Sequence, residues 1–186
     1  MVMFSETQPS SQLEALLLQT AAGDREAFAS LYHRTSPSVY GLALTYVHSG
    51  PDAEDVPQDT FVKVWDNAPA YRPLGKPLAW ILTIAKNLAL MCLRSREKST
   101  QLPPEDWASL AMDAPAVTPE DRQVLKAALS TLSQQEQQIL LLHAVSGLKH
   151  REIAALLELP LPTVLSKYHR GLKKLKIKLE GDAVYE

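Results

Sequence analysis

The chain is poor in cysteine. One thiol, Cys92, in 186 residues excludes an internal disulfide framework and fits a reducing compartment. Strand signals are nearly absent as well. There is no β-branched run with period-two alternation, and no Asn-Gly or Asp-Gly hairpin pair. No Gly-rich phosphate loop, paired Cys ligands or H-E-x-x-H segment occurs. The histidines, His33, His48, His143, His150 and His169, are scattered. The expectation is therefore a non-enzyme with no catalytic residues, no metal site and no cofactor. The first residues, MVMFSETQPSS, lack a basic segment followed by an apolar run, so they do not read as a secretory signal. The most apolar window, residues 78–93, contains Lys86 and Asn87 and reads as too short and too polar to span a bilayer. A cytoplasmic protein without membrane insertion is expected.

Helical periodicity fills the space left by these absences. The composition, 46% hydrophobic and 22% charged, suffices for a buried core and excludes a disordered chain. Ser10 or Ser11 can cap a first helix that Gly23 ends. Asp24 caps a second, which Pro37 is expected to break or bend. A third spans about residues 38–47. Ser49, Gly50 and Pro51 make a turn with proline placed to start a helix. The fourth helix, about residues 52–67, opens with Asp52, Glu54 and Asp55, which complement the helix dipole. Pro69 and Pro73 bracket a loop, and a fifth helix follows over about residues 76–98. Residues 99–118 hold three prolines and no apolar period, so they read as a linker. Further helices are expected at about 119–131, 133–146, 149–158 and 162–179. Ser133 and Glu136 form a capping box, and Gly147 ends that helix. The expected fold is all-α: two small helical domains, residues 1–98 and 119–186, joined by the linker at 99–118.

Charge is divided along the chain. Residues 1–70 hold 9 acids and 3 bases, and residues 71–186 hold 12 acids and 16 bases. An acidic front and a basic rear suggest two different partners. The basic rear culminates in residues 148–179, a short helix, a tight turn and a longer helix carrying Lys167, Arg170, Lys173, Lys174, Lys176 and Lys178. That is the build of a helix-turn-helix DNA reader. Val164, Tyr168, Leu172, Leu175 and Leu179 form the expected buried stripe. Thr163, Ser166, Lys167, Arg170 and Lys174 lie on another face and offer short polar groups and cations to bases and phosphates. Ala154 and Ala155 are small enough for a close helix crossing. The competing reading is a basic amphipathic helix that merely ends a bundle.

Three segments in this order resemble a known family. The pattern Leu129, Leu132, Glu136, Ile139, Leu140, Gly147, Leu148, Glu152, Ile153, Ala154, Leu157, Pro160, Thr163, Val164, Ser166, Arg170, Leu172 and Leu175 resembles region 4 of bacterial RNA polymerase sigma factors. The segment from Asp52 through Trp65 resembles region 2.2. Residues 78–94, with Ala79-Trp80-Ile81 and Ala85-Lys86-Asn87, resemble regions 2.3 and 2.4. Together they are similar to the small group-4 (extracytoplasmic-function) sigmas. The resemblance implies core RNA polymerase and promoter DNA as partners. The acidic fourth helix would dock on the polymerase β′ clamp through Asp52, Glu54, Asp55, Gln58 and Asp59. The fifth helix would capture the −10 element with Trp80, Lys86, Asn87, Arg94 and Arg96, with Lys98 as a further phosphate contact. The last helix would read the −35 element with Thr163, Ser166, Lys167, Arg170 and Lys174, and the domain around it would meet the β flap. An anti-sigma factor is left open as a further partner. For Trp65 core packing is the favoured role, and for Trp80 core packing and base stacking stay open.

Several positions depart from the family pattern. Pro57 stands inside the fourth helix and costs about 3 kcal/mol unless the helix kinks. Met91 replaces a common Asp. Glu158 stands where the turn often has Gly, at about 1–2 kcal/mol if left-handed. Pro162 replaces a Gly, and Leu165 a basic residue. The rival reading is a conventional helix-turn-helix regulator that is not a polymerase subunit. It leaves the acidic helix and the Trp80–Asn87 segment unexplained.

Overall fold

The computed structural model describes residues 9–47, 50–97, 124 and 127–182. The linker expected at 99–118 and most of the helix expected at 119–131 lie outside these residues. Every regular element among them is helical. They are α1 (Pro9–Ala21), α2 (Arg25–Val47), α3 (Gly50–Asn67), a 3-10 turn (Ala68–Ala70), α4 (Pro77–Glu97), α5 (Gln134–Ala144), α6 (His150–Leu157) and α7 (Leu161–Asp182).

Local chemistry explains most boundaries. Gly23 ends α1 with φ +88°, and Gly147 follows α5 with φ +66°, conformations that disfavour a Cβ. Asp24 Oδ1 accepts from the backbone N–H of Glu26 at 2.9 Å and of Ala27 at 3.0 Å, capping α2. The Ser133–Glu136 capping box forms. At α6 the Glu152 carboxylate accepts from the Lys149 N–H at 2.8 Å.

One boundary differs from expectation. The second and third helices are a single 23-residue helix that runs through Pro37. Pro37 and His33, the residue whose carbonyl loses its partner, are both on the exposed side, where water can serve that carbonyl. On the opposite side Leu31, Val39 and Leu42 are fully buried and hold the helix to its neighbours. Pro57 also sits inside its helix, α3, beside the buried Val56 and Thr60. The Thr60 hydroxyl donates to the Val56 carbonyl at 2.7 Å, three residues along from the donor that Pro57 lacks.

α2, α3 and α4 pack on one another, with α1 across them. α4 matches the fifth helix expected over about residues 76–98 to within a residue at each end. Residues Pro77–Ser95 are long and apolar enough to cross a membrane by length and composition, contrary to the reading from residues 78–93. In the structure this helix instead buries Ile81, Leu82, Ala85 and Ala89 between α2 and α3. The C-terminal half adds α5, α6 and α7. Ile139, Leu142, Ile153, Leu156 and Val164 join the same contiguous core as Leu17, Leu42 and Ile81. The two halves therefore share one apolar seam, in which α5 lies against α2 and α6 against α4.

The close crossing in the C-terminal half involves different residues from those expected. Ala154 is buried but Ala155 is exposed. The tight approach is at Gly171, where an added Cβ would meet Leu140 Cδ1 at 2.8 Å.

Candidate nucleic-acid interface

α4 presents two faces with different partners. Trp80, Asn87 and Met91 lie at near-heptad and i+4 spacing on one side. They line a cleft of about 440 Å³ together with Lys63 and Asn67 from the end of α3. Trp80 is partly buried, its ring edge-on to Tyr71 with centroids 5.2 Å apart. It is thus a packed residue and a cleft wall at once. Asn87 and Met91 are exposed. Lys63 and Asn67 carried no signal in the sequence, because only the packing of α3 on α4 brings them here.

The segment before α4 is braced from a distance. Glu14 Oε1, on α1, accepts from the Tyr71 hydroxyl at 2.9 Å and from the Gly75 N–H at 2.8 Å. Gly75 has φ +71°. Burial and the hydrogen bond to Glu14 push the Tyr71 hydroxyl up to about 12. Glu14 was not a candidate from sequence, since its partners are 57 and 61 residues away.

Lys86 does not share that cleft. It points to the opposite side of α4 and is 8% exposed. Its ammonium donates to the Leu156 carbonyl at 2.9 Å and to Glu158 Oε1 at 2.6 Å. Arg94 is exposed near the end of α4, and Arg96 is in the same helix.

On α3, Glu54, Asp55, Gln58 and Asp59 are all exposed, and Asp52 belongs to the helix's first turn. Gln58 and Asp66 join Phe28, Tyr32, Phe61, Val62 and Trp65 around an aromatic groove of about 300 Å³. Trp65 packs edge-on against Phe28 at 5.1 Å, but it is half-buried and lines this groove instead of joining the core for which it was expected. Val62 is 61% exposed, an apolar residue left beside a charged ridge. Tyr32 and Val62 escaped the sequence reading because they look like ordinary core periodicity.

α6 and α7 flank a turn at Glu158, Leu159 and Pro160. Glu158 is left-handed, with φ 56°, so the strain expected for a non-glycine here is present. The Leu159 N–H closes on the Ala154 carbonyl at 3.0 Å, ending α6. Val164, fully buried, seats the start of α7. Leu165, Ser166, His169, Arg170 and Lys173 face outward, and Thr163 and Lys167 flank them, half-buried.

Lys174 is differently placed. It donates to Glu136 Oε2 at 2.7 Å and so ties α7 to the cap of α5. Burial raises the Glu136 carboxyl, but hydrogen bonds from Lys174 and Ser133 outweigh it and hold the group below its ordinary range. The buried stripe of α7 also stops earlier than expected. Leu172 and Leu179 are exposed, because α5 and α6 cover only the first half of the helix. Between the helices His143 stacks on His150 at 4.5 Å, and Tyr168 stands edge-on to both.

An acidic ridge, a cleft walled by an aromatic ring, and an outward basic helix thus occupy one all-helical chain. Residues 31–99 match the family model for sigma-70 region 2, and residues 122–175 that for sigma-70 region 4. The ECF RNA polymerase sigma factor SigK of Mycobacterium sp. (strain KMS) is 31% identical over 191 residues, covering 94% of this chain and 97% of that protein. SigK of Mycolicibacterium vanbaalenii is 29% identical over 90% of this chain and 89% of its own length. CnrH, solved in complex with the cytosolic domain of CnrY, superposes with a TM-score of 0.63 at 25% identity, covering 92% of this chain and 99% of that one. The sigma factor RpoE of Bartonella quintana, solved with the anti-sigma factor NepR, has a TM-score of 0.64 at 23% identity over 77% of this chain and 91% of its own, and shares the fold.

The chain is a transcription-initiation protein of the sigma-70 type, with regions 2 and 4. It belongs to the extracytoplasmic-function sigma factors, alternative sigma factors that bind core RNA polymerase and direct it to promoter DNA. The conventional-regulator reading is not favoured, since region 2 and nearly the full length of the relatives are matched.

Proposed function

We propose that the cleft between α3 and α4 is where this sigma factor holds an unstacked base of the −10 element. The observation that carries this is the convergence of Trp80, Asn87 and Met91 with Lys63 and Asn67 around about 440 Å³. Removing a base from the stack costs a few kcal/mol, which a stacking wall and edge hydrogen bonds must offset. Trp80 supplies the wall, and Asn87 and Asn67 supply amide donors and acceptors. Arg94, Arg96 and Lys63 neutralise phosphates beside it, whereas Lys86, held by Leu156 and Glu158, faces away from it.

The remaining surfaces follow the charge. Asp52, Glu54, Asp55, Gln58 and Asp59 dock on the β′ clamp, with Tyr32 and Val62 adding an apolar contact. Thr163, Ser166, Lys167 and Arg170 read the −35 element, and the region 4 domain meets the β flap. Lys174 contributes field rather than direct contact while it is paired with Glu136. Residues 1–98 and 119–186 act as the two domains, with 99–118 between them. The protein works in the cytoplasm as a specificity subunit and has no turnover of its own. CnrH and RpoE are bound by CnrY and NepR respectively, which supports an anti-sigma partner here.

The test is runoff transcription with core polymerase on genomic templates, with permanganate footprinting of the opened strand. Trp80→Ala and Asn87→Ala should each reduce open-complex formation by about tenfold, the scale of one base-stacking or edge contact. Both variants should keep core affinity. Full opening by Trp80→Ala would remove the cleft from promoter capture.

A further inference from the structure

Sequence spacing grouped Thr163, Ser166, Lys167, Arg170 and Lys174 on one face of α7, but packing turns a different face outward. Three contacts fix the rotation of the helix. Val164 is fully buried, and Tyr168 stands edge-on to His143 and His150. Gly171 lies against Leu140, where an added Cβ would meet Cδ1 at 2.8 Å. These positions follow one another at spacings of four and three, so they define one seated side. The opposite side carries Pro162, Leu165, Ser166, His169, Arg170 and Lys173, all exposed. Thr163 and Lys167 are turned to its flank, half-buried. Leu165, which stands where the family often has a basic residue, thus belongs to the presented face and is 37% exposed. It takes no part in the apolar core against which Leu161 and Tyr168 pack. Among the described residues, the packing of α7 does not call for a leucine there.

We propose that Leu165 is a specificity-determining residue of the −35 contact, and that its ligand is the C5-methyl group of a thymine in the major groove. The inference rests on the reading of α7 as the −35 helix. A reading helix meets base edges with its N-terminal residues, and Leu165 lies within the first two turns of α7. Thymine is the base that presents a methyl in that groove, and an apolar side chain is the group that covers it. The neighbours on the same face divide the remaining work. Ser166 offers a hydroxyl to a base edge, Arg170 a fork to guanine or phosphate, and Lys173 a charge to the backbone further along. No acid stands in α7 before Glu180, so nothing in the reading half of the helix repels phosphate. A protein partner fits this face less well. Docking patches are contiguous apolar areas, whereas Leu165 has only Pro162 as an apolar neighbour on a face of hydroxyl, imidazole and cations.

The experiment uses the full chain with core polymerase on a promoter fragment that gives runoff transcripts. Each thymine of its −35 element is replaced in turn by deoxyuridine, which deletes the methyl and leaves every hydrogen-bonding group in place. The parent should lose about fourfold in promoter affinity at one of these positions, the scale of one buried CH₂. Leu165→Ala should bind the thymine template about fourfold more weakly than the parent and no longer distinguish it from the deoxyuridine template at that position. Leu165→Lys, which restores a basic residue, should be equally indifferent to the methyl. Both variants should keep the parental core affinity. A parent that ignores every methyl deletion overturns the proposal, as does an active −35 element with no thymine on either strand. Methyl discrimination that survives in either variant also overturns it. Equal loss on both templates together with weakened core affinity would assign Leu165 to a protein contact instead. Failure of the underlying reading has a separate signature. Arg170→Ala would then leave promoter affinity unchanged, whereas a silent methyl with a weakened Arg170→Ala removes the role of Leu165 alone.

Discussion

Glu14 is a single carboxylate with two donors that no other group serves. Replacing it with Ala leaves the Tyr71 hydroxyl and the Gly75 N–H without their partner. Unmet donors of this kind cost about 1–3 kcal/mol where they are buried; the Gly75 N–H is exposed and can take water, so the lower half of that range applies. The local consequence should exceed the global one. Tyr71 should titrate below about 12, toward the ordinary tyrosine value of 10.0, because the Glu14 hydrogen bond and charge are gone while burial, the largest raising influence, remains. A UV-monitored alkaline titration of Glu14→Ala against Tyr71→Phe isolates this residue. An unchanged titration would mean that burial alone sets it. The same variant should slow promoter opening while leaving core affinity intact, since the segment before α4 is held from α1. Glu14 was illegible in the sequence because a carboxylate on an early helix face looks like any solvated charge. Asp24, Ser133 and Glu136 were legible because their partners lie two or three residues away, where spacing alone defines the geometry.

At the scale of elements, the cap of α5 and the seat of α7 are one object. Glu136 is 1% exposed and accepts from Ser133 and Lys174. Its carboxyl is held below its ordinary value of 4.5, so it favours the folded state above about that pH and loses this contribution as pH falls through the lowered value. His150 acts in the same direction at milder acidity. Burial, with His143 and His169 nearby, lowers it below 6.5, and its Nε2 has no hydrogen-bond partner. The unfolded chain therefore takes up the proton first, and stability falls once pH drops below about 6.5. The helix-turn-helix half should show two acid steps in its thermal midpoint, one beginning near 6.5 and one below 4.5. His150→Gln should abolish the first and Glu136→Gln the second; retention of both steps would assign them elsewhere. Lys174→Ala should cost about 1–3 kcal/mol, less than a fully buried pair because Lys174 itself is 38% exposed. Helix type and order were readable from periodicity and caps. What periodicity could not reveal was how far each stripe is covered. Leu172 and Leu179 repeat correctly but extend past α5 and α6, whereas Pro37 reads as a break yet faces water and is tolerated.

For the whole molecule, the division of charge separates two kinds of binding that salt can distinguish. Cations that neutralise DNA phosphates release condensed counterions, so each contact adds about 0.9 to the slope of log affinity against log salt. Lys167→Ala and Arg170→Ala together should lower that slope by about 1–2 and weaken promoter binding by the polymerase complex at all salt concentrations. Arg170 faces outward, whereas Lys167 is half-buried at the flank, so Arg170 should account for the larger share. Charge reversal at Asp55 and Asp59, both exposed on α3, should act on the other partner. It should weaken core association, measured by fluorescence anisotropy of labelled protein, and leave the DNA salt slope of whatever complex forms unchanged. The two sets of changes should therefore be independent, since they lie on opposite halves and share no contact. Added together, they should multiply in transcription output. If the α3 reversals instead altered the DNA slope while sparing core affinity, the acidic ridge would be shaping promoter contact, and the docking assignment for α3 would fail.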